Sequence, residues 1–277
     1  MNAPAKGFIP APGHYADLDI KTYHSCDGVS KTGVMKLRRS PAHFKATDSE
    51  KDPTPALVMG SLGHTMILEP HKLHDEYIVA PEISRRSNSG KDAWAKFQQE
   101  AGDRQIISAE QLEQVKLIQS AVRAHPFAGP ALSGGHSEQS YFWHDPLTGV
   151  LCKCRPDYVK TTRSGDWLLD LKTAEDASPE AFAKACANFG YHISAAMSLD
   201  GYAHVTGRLP LAYLFVVVEK SAPYGIAVYQ LEQSAIEHGR DQYQDALCLY
   251  RECESTGEWG CYPVKTQTID LPKWAYK

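Results

Sequence analysis

Two acidic residues and a lysine carry the most chemistry in this 277-residue chain. Asp157 closes Arg155-Pro-Asp157, and after twelve intervening residues comes Asp170-Leu-Lys172. Side chains alternate faces along a strand, so Asp170 and Lys172 are expected on one side and Leu171 in the core. Asp157 falls near the end of the preceding predicted strand, where a hairpin can set it beside Asp170. Two carboxylates converging at a sheet edge offer oxygen ligands suited to Mg2+, which keeps several waters for substrate or nucleophile. The Lys172 ammonium can then orient the attacking water and offset charge on a phosphate. Together these groups would supply a nucleophile, a Lewis acid and charge stabilisation for phosphodiester hydrolysis. The plain alternative is two exposed strand-end aspartates and a solvated lysine. The apolar run Trp167-Leu-Leu-Asp-Leu171 weighs against it, because unpaired charge in such a strand is costly.

The elements that must position these residues follow from period and punctuation. Ser140–Trp143, Val150–Val159 and Trp167–Lys172 are predicted strands, separated by turns at Asp145–Gly149 and Arg163–Asp166, forming an antiparallel meander. A long helix is expected from Ser178-Pro179-Glu180 to about Val205, with proline at its first position. Leu211–Val218, the most hydrophobic strand, and Tyr224–Leu231 follow, then an amphipathic helix over Ser234–Glu254. Upstream, helices are predicted over Ser30–Lys45, kinked or split at Pro41, and over Pro55–Leu68. Gly60 and Gly63 in the latter hint at close packing. A third helix starts at Ser108, which with Gln111 forms a capping box. The fold class is α/β, one mixed sheet flanked by helices.

Composition narrows the partners. A formal net charge of −4 argues against a broad basic face that coats DNA, yet permits an enzyme gripping a few phosphates. No apolar run is long enough for a membrane span, and the N-terminus lacks the pattern of a signal peptide, so a cytoplasmic protein is expected. Seven cysteines in that setting are read as reduced thiols. Residues 1–20 are expected to be a flexible leader, 21–265 a single domain and 266–277 a tail.

Further motifs bring a resemblance. Gly60-Ser-Leu-Gly-His64 with Leu68-Glu-Pro70 resembles the Gly-x-x-x-His segment of RecB-type nucleases. Cys154-Arg-Pro-Asp157 and Leu169-Asp-Leu-Lys-Thr173 resemble their Asp and Asp-x-Lys motifs within the PD-(D/E)XK superfamily. Ser40-Pro-Ala-His-Phe44, the strand from Glu138 to Trp143, Tyr191-His192 and Asp200-Gly-Tyr202 are similar to the RecE-type exonuclease VIII of phages and prophages. The similarity runs over about residues 20 to 260. It implies a Mg2+-dependent enzyme, with Mn2+ able to substitute, that degrades the 5′ strand of linear double-stranded DNA ends. It implies 3′ tails made for recombination, a homo-oligomeric ring around DNA, and a single-strand annealing protein as partner. It further implies His64 and the Leu171 carbonyl as metal ligands beside Asp157 and Asp170, and Tyr191 and His192 near the DNA. A departure accompanies it: where relatives carry a Gln-x-x-x-Tyr pair, this chain has Ser194 and Ser198.

Competing readings stand beside these. His64 is either that ligand or a packed helix histidine. Glu138 is either a substrate contact or a solvated acid opening a strand. Ser30, Lys31 and Thr32 either anchor a 5′ phosphate at a helix N-terminus, with Arg38 or Arg39 nearby, or simply cap the helix. Cys26, Cys248, Cys253 and Cys261 raise an iron–sulfur nuclease of the AddB-like and CRISPR-associated kinds, or are small buried hydrophobes. A zinc site from His64, His71 and His74 is disfavoured by Pro70 between them. A catalytically inactive scaffold that binds DNA ends is the remaining alternative.

Overall fold

The computed structural model describes residues 9–46 and 54–276, so residues 1–8 of the expected leader and residue 277 of the expected tail lie outside it. Its centre is the nine-residue strand Asp166–Ala174. Leu168 enters one apolar cluster and Leu169 and Leu171 another, as alternation along a doubly covered strand requires. The strand pairs antiparallel with Tyr158–Thr161, Tyr158 opposite Leu169, and parallel with Ala212–Glu219, Asp170 opposite Phe215. Ile226–Tyr229 and His136–Ser137 complete a five-stranded mixed sheet as its two edges.

A parallel neighbour needs a crossover, and helices Pro179–Phe189 and Tyr191–Thr206 supply it. They and the helix Gln233–Thr256 cover one sheet face through Phe182, Ile193, Met197, Tyr243 and Leu247. Helices Pro55–Leu68 and Ala109–Ala124 cover the other through Leu68, Ile118 and Val122. The capping box at Ser108 and Gln111 is present as the sequence predicts.

The single sheet expected from sequence is divided. The predicted strand Val150–Val159 breaks at Arg155-Pro156-Asp157, where proline has no N–H for a ladder. Leu151–Cys154 pairs with Ser140–His144 in a separate three-stranded sheet, while Tyr158–Thr161 belongs to the main one. The third member of that smaller sheet is Gly13–Tyr15, so the expected leader holds a paired strand, and the helix Ile20–Ser25 begins at its end. A parallel pair, Tyr77–Val79 with Gln105–Ile107, forms the third sheet. The expected long helix is two, divided at Gly190, whose φ of 66° caps the first. The first helix likewise splits into Lys31–Arg39 and Pro41–Lys45, both meeting at Ser40. The helix Asn88–Ala101 had no counterpart in the sequence reading. No helix among the described residues is long and apolar enough to cross a membrane.

Candidate active site

The site forms where the hairpin of the main sheet meets the helix Pro55–Leu68. Thr54 starts that helix, its hydroxyl accepting from Leu57 N–H at 3.3 Å, with Pro55 in the first turn. The helix runs past Thr173. A methyl added at Gly60 or Gly63 would meet Thr173 at 3.9 and 3.6 Å, ordinary contact, so the close approach expected of these glycines is not what seats the helix. His64 projects from its third turn. Its Nε2–H donates to the Leu171 carbonyl at 2.6 Å, which turns Nδ1 toward Asp157 Oδ2, 3.7 Å away.

Asp157 lies one step before Tyr158, hence opposite Asp170 in the hairpin. Its Oδ2 accepts from Leu171 N–H at 2.7 Å. Both backbone groups of Leu171 are thus engaged, one by each of the two groups the sequence placed around it. Glu138 follows the edge strand His136–Ser137 with φ of 53°, and its N–H donates to the Asp157 carbonyl at 2.9 Å. His64, Glu138 and Asp157 each present one ligand atom, all within 4.8 Å of one another. An imidazole and two carboxylates form a donor set that fits a divalent cation. Burial, then the neighbouring Asp157 charge, holds the Glu138 carboxyl above its ordinary range, opposed by Arg155.

Asp170 does not join that trio. One of its oxygens accepts from Lys172 Nζ, and the other from the Tyr213 hydroxyl at 2.9 Å. Lys172 Nζ also stands 3.8 Å from Asp157 Oδ2, so the ammonium bridges the two aspartates on the face that alternation predicted. Burial lowers the Lys172 pKa, with Asp157 and Glu138 opposing.

The roles of three positions here differ from the sequence reading or are absent from it. Glu138, offered as a substrate contact or a solvated acid, lies in the candidate ligand cluster. Arg155 holds it, donating through Nε to Glu138 Oε2 at 2.6 Å and through Nη1 to the Leu18 carbonyl and Ser140 Oγ at 2.8 and 2.7 Å. Tyr213 holds Asp170. It is the one polar tip among the otherwise apolar residues 212–218, and a buried phenol needs a partner, which was the available signal. Ser194 and Ser198 lie against that same hydroxyl.

The trio opens into a cleft of about 2620 Å3, larger than the roughly 300–1,000 Å3 of small-molecule pockets. Ser30, Lys31, Thr32 and Tyr191 line it. Ser30 also caps its helix, accepting from Gly33 N–H at 3.4 Å. Arg38 and Arg39, expected beside them, sit exposed in the last turn of the same helix, away from the cleft, and Arg39 Nε reaches Tyr262 Oη at 3.5 Å. Lys36 in that same turn lines the cleft, so the face of the helix, not its length, turns Arg38 and Arg39 away. His192 also turns away, pairing with the Cys186 carbonyl at 3.1 Å and Gln242 Oε1 at 2.9 Å. Among the described residues, Cys26, Cys248, Cys253 and Cys261 form no metal-ligating group, nor do His64, His71 and His74.

Comparisons with known proteins agree with this architecture. A PDDEXK-like domain of unknown function (DUF3799) matches residues 30–272. A candidate exonuclease from Eubacterium rectale is similar in structure, with a TM-score of 0.57 at 13% identity over 88% of this chain and 90% of that one. A phage-related exonuclease from Haemophilus somnus gives a TM-score of 0.34 at 11% identity over 84% of this chain and 97% of that one, too low to bear on the fold. No curated protein matches the sequence.

Proposed function

The chain belongs to the PDDEXK-like DUF3799 family, and on that premise we propose that it is a divalent-metal-dependent exonuclease acting on linear double-stranded DNA. The observation that carries this reading is the convergence of His64, Glu138 and Asp157 within 4.8 Å, with Lys172 Nζ 3.8 Å from Asp157. His64, Glu138 and Asp157 would hold Mg2+ or Mn2+, with Asp170 beside them and the Leu171 carbonyl orienting the imidazole. When bound, the cation supplies Lewis-acid stabilisation of charge on the phosphate.

The remaining roles belong to the chain's own groups. Lys172, held between Asp157 and Asp170, orients the attacking water and neutralises charge as the phosphorus–oxygen bond breaks. Asp170 fixes Lys172, and Tyr213 fixes Asp170. Ser30, Lys31 and Thr32 at the start of their helix receive the terminal 5′ phosphate. The resemblance to RecE-type enzymes extends the reading to 5′-to-3′ digestion that leaves 3′ tails, to a ring of identical subunits, and to a single-strand annealing protein as partner. A ring would hold DNA by enclosure, which suits a chain of net charge −4.

Linear duplexes labelled at either end of one strand test the polarity. The proposal expects early release of 5′ label as nucleotide, retention of 3′ label in single strands, and untouched covalently closed circles. Cutting of circles, or 3′ label released first, would contradict it.

A further inference from the structure

Phe189 and Tyr191, on either side of Gly190 where the two crossover helices meet, line the cleft. The rings of Phe189 and Tyr191 stand 5.7 Å apart, tilted by 33°. Tyr191 is also committed to the core, with Phe215 and Phe182 rings at 5.9 and 6.0 Å. Phe189 leaves 58% of its surface in solvent. Packing fixes this corner, since a Cβ on Gly190 would come to 2.8 Å from Met35 Sδ and 3.5 Å from Lys31 Cε.

Two cations attend the same wall. Lys172 Nζ lies 5.3 Å and Lys31 Nζ 5.8 Å from the Tyr191 ring. Lys31 has no acidic partner among the described residues, and the charge acting on it is the like charge of Lys172. A single exposed phenylalanine needs no explanation. An exposed ring abutting a second ring that adjoins the ammonium of Lys31, which has no carboxylate beside it as Lys172 does, is another matter. Flat apolar surface beside that one unpaired positive charge matches a nucleotide, whose base has a π face and whose phosphate is an anion.

We propose that Phe189, backed by Tyr191, is a stacking platform for the base of the DNA nucleotide next to the scissile phosphate, and that Lys31 binds that nucleotide's phosphate. The inference rests on the nuclease reading above and adds to it a base-contacting subsite. Stacking on an aromatic ring tolerates any base, so the platform would position the strand without selecting sequence.

The test compares wild type, Phe189→Ala and Phe189→Trp on two linear duplexes, one natural and one abasic at the terminal nucleotide. The platform predicts a rise in KM on the order of tenfold for Phe189→Ala on the natural duplex, restored by Phe189→Trp. It also predicts that the abasic duplex erases the difference between wild type and Phe189→Ala. Equal KM values on the natural duplex, or the same penalty on both duplexes, would overturn it. No cleavage of either duplex by wild type in Mg2+ or Mn2+ would overturn the nuclease reading and the platform together.

Discussion

At the scale of single residues, the decisive feature is how little freedom Lys172 has. Asp170 and Asp157 hold its ammonium from two sides, and Tyr213 holds Asp170 in turn. Lys172→Ala should reduce turnover by about 100- to 1,000-fold while the protein still folds, as loss of a charge-stabilising group does elsewhere. Single-turnover cleavage beside a melting curve checks both halves, and near-wild-type turnover would remove Lys172 from the reaction. Tyr213→Phe deletes one donor to a buried carboxylate, so it should lower unfolding free energy by about 1–3 kcal/mol. Turnover should fall with KM little changed, because Tyr213 touches Asp170 and not substrate. The spacing of Asp157, Asp170 and Lys172 was legible because strand alternation and hairpin register are local geometry. Tyr213 was not, because a strand distant in sequence brings it to Asp170; Glu138 and Arg155 were named, but their contact with each other, which sets their roles, joins separate segments. Arg38, Arg39 and His192 misled for the matching reason: proximity along a helix says nothing about which face meets the cleft.

At the scale of elements, close approach occurs at glycines the sequence did not flag for it. A Cβ on Gly201 would meet Trp143 ring carbons at 2.5 and 2.8 Å and Cys154 Sγ at 2.9 Å. That glycine lets the helix Tyr191–Thr206 lie on the smaller sheet. Gly201→Ala should therefore destabilise by about 1–3 kcal/mol through overpacking, read from denaturant melts. A melt indistinguishable from wild type would show that the helix is not held so close. Asp145 ties the turn after Ser140–His144 to the last helix, accepting from Leu147 N–H, Thr148 N–H and Oγ1, and Gln244 Nε2. Burial alone would raise its carboxyl, but these donors outweigh it and hold it below the ordinary value. A depressed carboxyl stabilises the fold above its unfolded pKa and loses that contribution as pH falls through the folded one. The melting-temperature gap between wild type and Asp145→Asn should thus be widest near neutral pH and narrow below about pH 4. A gap that widens on acidification would reverse the assigned sign. The helix starts at Ser108 and Ser178 were readable, one from its capping box and the other from Pro179 at the first helical position, whereas the break at Pro156 was missed because apolar strand-forming residues lie on both sides of it.

At the scale of the whole molecule, the division of strands between two sheets matters to the site. Arg155-Pro156-Asp157 is the crossing point, so Arg155 faces Glu138 and the smaller sheet while Asp157 faces the hairpin. An uninterrupted strand would have alternated both residues onto one face of one sheet. The sequence reading placed Asp157 well and the architecture around it less well, since hydrophobic runs do not reveal which sheet a strand joins. Few phosphate contacts per subunit also imply a shallow salt dependence. With about three such contacts, log K against log salt should slope near −3 or shallower, and a much steeper slope would point to a wider basic surface.

Nucleotide release from a 5′-phosphorylated linear duplex in Mg2+, measured for wild type and Asp157→Ala in parallel with an EDTA control, bears most directly on the proposed chemistry. Wild type should release nucleotide, EDTA should stop it, excess Mg2+ or Mn2+ should restore it, and Asp157→Ala should release none. Release that persists in EDTA, or that Asp157→Ala leaves undiminished, would contradict a metal centre built on that carboxylate.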